Sequence, residues 1–258
     1  MADLKGKKII ITGASSGIGR ASAKLAVQRG ASVLAVDIDP NTAATADELN
    51  GAIAFMQVDV SKEEQVAAMA ERCVRTFGGI DGIFANAGID AGGVPFLEQT
   101  AEHWQRILAI NTIGVFLCIK HTAPYLTKQA YGSIVCTASV AGLRANAGAV
   151  SYSASKAGVI SIVQTTSYHL YGTGVRVSAV CPGLIETNMT QRMFDKLRGL
   201  GKEARIGLIN PTKRHGQPSD IAEMACFLLS DAASDVNGQA IAIDGGLSAS
   251  HPWAYPRG

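Results

Sequence analysis

The sequence has few of the features that would place it in a specialised class of protein. Among its 258 residues are five cysteines and eight prolines, aromatic residues make up 6%, and the formal net charge is +2. A charge so close to neutral provides no strongly basic surface, so we expect no nucleic-acid partner. The cysteines are odd in number, widely spaced and without a CxxC pair, which favours reduced, buried thiols and a cytoplasmic location over a disulfide framework.

Long hydrophobic runs and metal-ligand patterns are also missing. The opening segment, MADLKGKKIIITG, holds an apolar run much shorter than a signal-peptide core. No stretch approaches the roughly 18 unbroken apolar residues of a membrane span. The five histidines are scattered, without a second ligand at a suitable spacing. We therefore expect neither a membrane nor a metal.

The dominant pattern is an alternation of short β-branched runs with longer helical segments. The runs predict strands at 7–12, 32–37, 52–59, 82–86, 133–139, 175–182 and 239–245. The segments between them predict helices at 17–29, 62–77, 101–125, 152–170 and 219–230. Several strands are apolar throughout, as in a parallel sheet that helices cover on both sides. We predict a single-domain α/β fold over 1–258, of Rossmann type, with a doubly wound parallel sheet of about seven strands and helices on both faces.

A glycine-rich turn follows the first predicted strand. The segment TGASSGIGR places Gly13, Gly17 and Gly19 where a strand passes into a helix, a turn that lets the backbone approach a diphosphate. Asp37 ends the second strand, where a dinucleotide-binding unit holds the adenosine ribose, and neither Ser16 nor Ile38 supplies a cation for a 2′-phosphate. We predict NAD as the cofactor. The alternative is a plain tight turn, with Asp37 as an ordinary turn residue.

The segment YSASK places Tyr152 and Lys156 four residues apart in a predicted helix. Positions i and i+4 share one helical face, so the phenol and the ammonium are near neighbours. A nearby positive charge lowers the pKa of a tyrosine, although the same pair could simply decorate a surface.

Together with NAG at 86–88, Ser139 and CPG at 181–183, these motifs resemble those of the short-chain dehydrogenase/reductase family over essentially the whole chain. The resemblance implies a catalytic set of Asn111, Ser139, Tyr152 and Lys156. It also implies cofactor contacts from Gly13, Ser15, Ser16, Gly17, Ile18, Gly19, Asp37, Ile38, Asp59, Val60, Asn86, Ala87, Gly88, Tyr152, Lys156, Pro182, Gly183, Ile185 and Thr187. A purely structural role is an open alternative for four of these residues. Asp59 could be a residue that leads into a helix, Asn86 a turn residue, Ser139 an ordinary helix or turn cap, and Asn111 a residue that bonds its own backbone.

The family roles imply a specific chemistry. Ser139 and Tyr152 would hydrogen-bond the substrate hydroxyl, and Tyr152 would act as general acid and base, tuned by Lys156. The resemblance thus implies an NAD-dependent oxidoreductase that acts on a secondary alcohol or a sugar lactol. The alternatives are an NADPH-dependent 3-oxoacyl-thioester reductase and, in another class, a dinucleotide-binding scaffold without catalysis.

Two segments fall outside this pattern. Residues 188–214, where the family has its substrate loop, carry seven basic residues against two acidic ones. They indicate either an anionic substrate or a solvated helical face. The C-terminal tail 251–258, HPWAYPRG, either packs on a neighbouring subunit of the homotetramer usual in the family, or is a frayed end.

Overall fold

The fold is built on a seven-stranded parallel sheet, in a computed structural model that describes residues 3–40, 52–145 and 147–250. The predicted tail, 251–258, lies outside the described residues. The strands are β1 (Lys8–Thr12), β2 (Ser32–Asp37), β3 (Ile53–Gln57), β4 (Gly82–Ala85), β5 (Gly132–Thr137), β6 (Val175–Pro182) and β7 (Ala240–Ile243). Their order is β3-β2-β1-β4-β5-β6-β7, and every neighbouring pair is parallel. The predicted doubly wound α/β fold is confirmed.

Helices cover both faces of this sheet. They are α1 (Gly17–Gln28), α2 (Glu63–Phe77), α3 (Ala101–Leu108), α4 (Gly114–Lys128), α5 (Val150–His169), α6 (Gln191–Gly199) and α7 (Pro218–Leu229). Alternate residues of a strand point to opposite faces, so Ile10 of β1 packs in the layer with α2, α4 and α5. Its neighbours Ile9 and Ile11 pack in the layer with α1 and α7. Two apolar layers explain why the strands are apolar throughout.

The start of α2 differs from the pattern in the sequence. Ser61 and Glu64 resemble a capping box, but the residue that precedes the helix is Lys62, and it makes no side-chain cap. The Ser61 hydroxyl instead donates to Asp59 Oδ1 at 2.7 Å. The carboxylate of Asp59 competes with the helix terminus for this short side chain.

The predicted helix at 101–125 is interrupted by a π-helical turn. Between α3 and α4, Ala109–Ile113 forms this turn, with Asn111 at its centre. The continuous helical stretch Ala101–Lys128 is long and apolar enough, by length and composition, to cross a membrane. Its buried residues, including Ile107, Leu117 and Leu126, pack inside the protein.

Candidate active site

A cleft of about 430 Å³ opens at the carboxyl edge of the sheet. Strands β1 and β4 are neighbours there, with β2 and β3 on one side and β5 to β7 on the other, so the strand order reverses between them. Open α/β sheets bind ligands at this reversal, because the connections leave it in opposite directions and leave a crevice. All but two of the residues predicted for the site line this cleft, and the two exceptions are Gly19 and Asn111.

The glycine-rich turn forms one wall of the cleft. Gly13 and Gly17 have positive φ angles of 69° and 50°, which other residues rarely adopt. Gly19 lies behind the wall, where an added β-carbon would overlap the carbonyl oxygen of Gly13. Helix α1 starts here without a side-chain cap and without an acidic residue in its first turn. Free N–H groups and a positive helix end fit an anionic diphosphate.

Two carboxylates stand at the ends of β2 and β3. Asp37 Oδ2 accepts the N–H of Ser15 at 2.9 Å, and its Oδ1 accepts the N–H of Asp39 at 3.1 Å. These bonds tie the end of β2 to the glycine-rich turn and hold the carboxylate at the cleft. Ile38, next in the chain, is 61% exposed. Asp59 lines the cleft beside Val60 and is fixed by the Ser61 hydrogen bonds.

The NAG segment is tied into the floor of the cleft. The backbone N–H groups of Asn86 and Ala87 both donate to Thr12 Oγ1, at 2.9 and 3.0 Å. The Asn86 amide donates to the Thr12 carbonyl, and its oxygen accepts from the Thr137 hydroxyl. Asn86 thus joins the ends of β1 and β5. Gly88 leaves room beside Lys156, whose Nζ would be 3.4 Å from an added β-carbon.

The predicted catalytic hydroxyls and amine meet at the other end of the cleft. Ser139 follows β5, while Tyr152 and Lys156 share one face of α5. The Ser139 hydroxyl accepts the N–H of Ala141 at 3.1 Å, so it caps the turn that follows β5. Its side chain also lies beside the Tyr152 hydroxyl, and Lys156 Nζ is 5.7 Å from the centre of the tyrosine ring. Lys156 is 3% exposed and donates to the Thr137 carbonyl at 2.8 Å.

Burial is the main influence on the pKa values of Tyr152 and Lys156. It raises the pKa of Tyr152; the hydrogen bond from Ser139 lowers it, and the charge of Asp90 raises it further. Burial also lowers the pKa of Lys156 to about 8, because a charged amine loses its water there. The lowering of the Tyr152 pKa that Lys156 was expected to cause is therefore not seen: burial is the largest effect, and Ser139 is the group that lowers this pKa.

Asn111 lies behind the cleft, fully buried. Its Oδ1 accepts the N–H of Ile89 and its amide donates to the carbonyl of the same residue, both at 2.9 Å. The amide also donates to Ser155 Oγ at 3.1 Å, and that hydroxyl donates to the Tyr152 carbonyl. Asn111 thus connects the segment after NAG with the helix that carries the tyrosine. Its amide bonds neighbouring elements, so the bond to its own backbone considered above is not what the structure shows.

The segment after β6 closes the cleft. Pro182, Gly183, Ile185 and Thr187 all line it. Thr187 faces the glycine-rich turn, since its Cγ2 would be 3.1 Å from a β-carbon at Gly17. The two walls of the cleft therefore meet at this threonine.

The structure adds lining residues that were not named individually from the sequence, three of which belong to the predicted substrate loop. They are Val36, Val58, Ile89, Arg106, Ile110, Thr137, Ala138, Asn188, Met189 and Thr190. Several are one residue from a predicted contact and could have been included by neighbourhood. Arg106 carries no such signal, because the position of its helix above the sheet depends on tertiary packing.

The loop cations do not line the cleft. Of residues 188–214, only the first three do so. Arg198 forms ion pairs with Glu186 and Glu203, and Arg214 pairs with Asp220 at 2.7 Å. Within the described residues, no three side chains of histidine, cysteine or carboxylate type are grouped to hold a metal.

A dinucleotide cradle that adjoins a serine, a tyrosine and a lysine defines an oxidoreductase that uses a nicotinamide dinucleotide. The family model described as enoyl-(acyl carrier protein) reductase matches residues 13–248. The 3-oxoacyl-(acyl-carrier-protein) reductase FabG of Thermotoga maritima is 40% identical over 95% of this chain and 98% of its own. The 2,5-dichloro-2,5-cyclohexadiene-1,4-diol dehydrogenase of Sphingobium indicum is 39% identical over 96% and 100%.

Solved structures agree with the sequence comparisons. The crystal structure of levodione reductase superposes with a TM-score of 0.90 and 33% identity, covering 96% of this chain and 99% of that one. The chain belongs to the short-chain dehydrogenase/reductase family. It is an enzyme that transfers hydride between a CH–OH group and a nicotinamide dinucleotide.

Proposed function

We propose that the protein is an NAD-dependent dehydrogenase of a secondary alcohol carried on a ring, with Tyr152 as general acid and base. The observation that carries the cofactor part of the proposal is Asp37. Its carboxylate lines the cleft and is fixed by two backbone N–H groups. A 2′-phosphate at this position would meet a negative charge, while a 2′-hydroxyl would meet a hydrogen-bond acceptor.

The residues at the other end of the cleft would handle the proton. When bound, the cofactor supplies or accepts the hydride. Tyr152 and Ser139 would hydrogen-bond the substrate oxygen, and the phenol would give its proton to a ketone or, as phenolate, take it from an alcohol. Burial keeps the tyrosine protonated, which suits donation to a ketone oxygen. Lys156 would favour the phenolate by its charge, and Asn111 would hold the two supporting segments together.

A ring-borne alcohol is favoured by the kinship with a dehydrogenase named for a cyclohexadiene diol. The earlier hypothesis of an anionic substrate held by the loop is weakened, because its cations are turned to acidic partners or away from the cleft. The five buried free thiols support a reducing, cytoplasmic compartment. The homotetramer remains part of the proposal, supported by kinship alone.

The second candidate is an NADPH-dependent 3-oxoacyl-thioester reductase, as the relative from Thermotoga maritima is named. The two candidates are separated by measuring kcat/KM with NAD and NADP, with cyclohexanol and with a 3-hydroxyacyl thioester. We expect a preference for NAD of at least about 10-fold, the size of one charge repulsion of about 1.4 kcal/mol. Asp37→Ser should reduce this preference for NAD. Asp235 does not line the cleft, so Asp235→Ser should leave the preference unchanged. A wild-type preference for NADP would favour the second candidate.

A further inference from the structure

One arginine lines the cleft and has no partner there. Arg106 lies in α3, one helical turn before Ile110, and both residues line the cleft. The Arg106 side chain is exposed. Within the described residues, no carboxylate forms an ion pair with it and no hydrogen bond holds its guanidinium. An arginine left unpaired beside a ligand cleft is available to an anion that enters it.

The other charges in the cleft are already committed. Lys156 is the second cation among the described lining residues, and it is buried with its amine on the Thr137 carbonyl. Asp37 and Asp59 are fixed by backbone and serine donors. Arg106 is therefore the one described cation of the cleft that is free to move toward a ligand.

The structure assigns Arg106 to the diphosphate of the cofactor. Its guanidinium would bind the phosphates from α3, in addition to the backbone N–H groups of the glycine-rich turn. The glycine-rich turn offers only backbone N–H groups and a helix end, which leave a doubly charged diphosphate partly uncompensated. A guanidinium pairs with phosphate oxygens through two parallel hydrogen bonds, so it can complete the neutralisation. Arg106 would be a positioning residue, with no part in proton or hydride transfer.

A 2′-phosphate is a less suitable target for this guanidinium. A cation placed to receive that phosphate would lie beside the end of β2, within reach of the Asp37 carboxylate. No ion pair joins Arg106 and Asp37 in the described part of the chain. The start of α4 packs on Val60, since a β-carbon at Gly114 would be 2.9 Å from its Cγ2. Arg106 lies about two turns before Gly114 in the same helical stretch, so it is displaced from this contact with Val60.

The test measures binding and needs no substrate. Wild type, Arg106→Gln, Arg106→Lys and the control Arg192→Gln are titrated with ADP-ribose, adenosine and 2′,5′-ADP by calorimetry, at 50 and 300 mM NaCl. Arg192 is an exposed loop cation that does not line the cleft. We expect Arg106→Gln to weaken ADP-ribose about 10-fold, as for one charged hydrogen-bonded pair. Arg106→Lys should show a smaller loss of ADP-ribose affinity, and Arg192→Gln should show no loss. Adenosine binding should not change, and the salt dependence of ADP-ribose binding should become shallower.

Three results would overturn the assignment. An unchanged affinity of Arg106→Gln for ADP-ribose would show that Arg106 does not bind the diphosphate. An equal loss for adenosine would show stacking on the base, and a greater loss for 2′,5′-ADP than for ADP-ribose would move the arginine to the 2′ position. Circular dichroism and melting of each variant separate misfolding from lost binding, and Arg106→Lys keeps the test open if Arg106→Gln fails to fold. Because the readout is ligand binding, it is independent of whether the proposed alcohol is the substrate.

Discussion

At the residue scale, the site depends on one phenol in an environment that holds its proton. Tyr152 is half-buried at the cleft, with the Ser139 side chain beside its hydroxyl and Lys156 Nζ over its ring. If the phenol carries the substrate proton, removing only its oxygen should stop turnover and leave the dinucleotide cradle intact.

We therefore expect Tyr152→Phe to lower kcat by at least about 100-fold, the usual contribution of a positioned general acid or base. ADP-ribose should bind as in wild type, because the diphosphate wall lies elsewhere in the cleft. Steady-state kinetics with NAD and cyclohexanol, together with calorimetry, measure both quantities. Tyr168→Phe, which alters a tyrosine that is 77% exposed, is the matched control. Full turnover in Tyr152→Phe would refute the mechanism.

Lys156 allows a test through stability. Its pKa is lowered by burial from 10.5 to about 8, so between these values the unfolded chain binds a proton that the native protein does not. Stability due to this group is complete above pH 10.5 and is lost as the pH falls to 8. The loss amounts to about 3 kcal/mol. Lys156→Met carries no charge to bury, so its free energy of unfolding should exceed that of wild type most at pH 7. The difference should disappear toward pH 10.

Urea unfolding of cofactor-free wild type and Lys156→Met at pH 7, 8 and 9 provides the measurement. The hydrogen bond to Thr137 is lost in the variant at every pH, so it shifts the difference without changing its slope. Lys196→Met, which removes an exposed lysine of α6, is the control and should track wild type. Parallel pH curves for Lys156→Met and wild type would show that the buried amine is not perturbed.

At the scale of the elements, the π-helical turn is what the sequence pattern could not indicate. Apolar residues around Asn111 continue with helical spacing on both sides, so the segment predicts one helix. The extra residue in the turn is stabilised by partners from elsewhere in the chain, Ile89 and Ser155. Contacts between distant elements leave no local trace in a sequence, whereas the glycine-rich turn and the Tyr152 and Lys156 spacing are local and were readable.

The turn can be tested through its central amide. Asn111→Ala should leave the N–H and the carbonyl of Ile89 without partners, and we expect the free energy of unfolding to fall by about 2–4 kcal/mol. Turnover should fall as well, because Gly88 and Ile89 border the cleft. Asn111→Asp keeps an acceptor for the Ile89 N–H but sets a buried carboxylate oxygen against the Ile89 carbonyl, so its stability should fall at least as far as that of Asn111→Ala. Urea unfolding and kcat would be compared across the three proteins, and an undisturbed Asn111→Ala would contradict the bridging role.

At the scale of the whole molecule, a doubly wound parallel sheet of about seven strands could be predicted because apolar runs, glycine turns and acidic strand ends alternate along the chain. The position of the cleft follows from the reversal between β1 and β4, which is also a property of strand order. The lining by Arg106 could not be predicted, since it depends on how the helix after β4 lies over the sheet edge. The orientation of Arg198 and Arg214 in the loop could not be predicted either, because it depends on their ion pairs with Glu186, Glu203 and Asp220.

The cysteines make the stability of the whole molecule depend on pH in the alkaline range. All five are free and buried in the two apolar layers and the sheet between them. Burial raises the pKa of Cys136, and it raises the pKa of the other four thiols from 9.0 to about 11 for Cys181 and about 12 for Cys73, Cys118 and Cys226. Above pH 9 the native protein therefore keeps protons that the unfolded chain releases. Stability must fall as the pH rises, by up to about 1.4 kcal/mol per pH unit for each thiol, and the single opposing amine of Lys156 cannot offset five such groups.

We expect the free energy of unfolding in urea to drop steeply between pH 9 and 10.5, and Cys118→Ala isolates the cause. Cys118 is fully buried in α4, so its replacement costs stability at neutral pH through lost packing. That cost should shrink as the pH rises, because the variant lacks one of the titrating thiols while every other alkaline titration is shared with wild type. The two stability curves should thus converge by about 1.4 kcal/mol per pH unit. Curves that remain parallel would mean that the thiol gains exposure or a partner in the native protein, and that alkaline instability comes from another group.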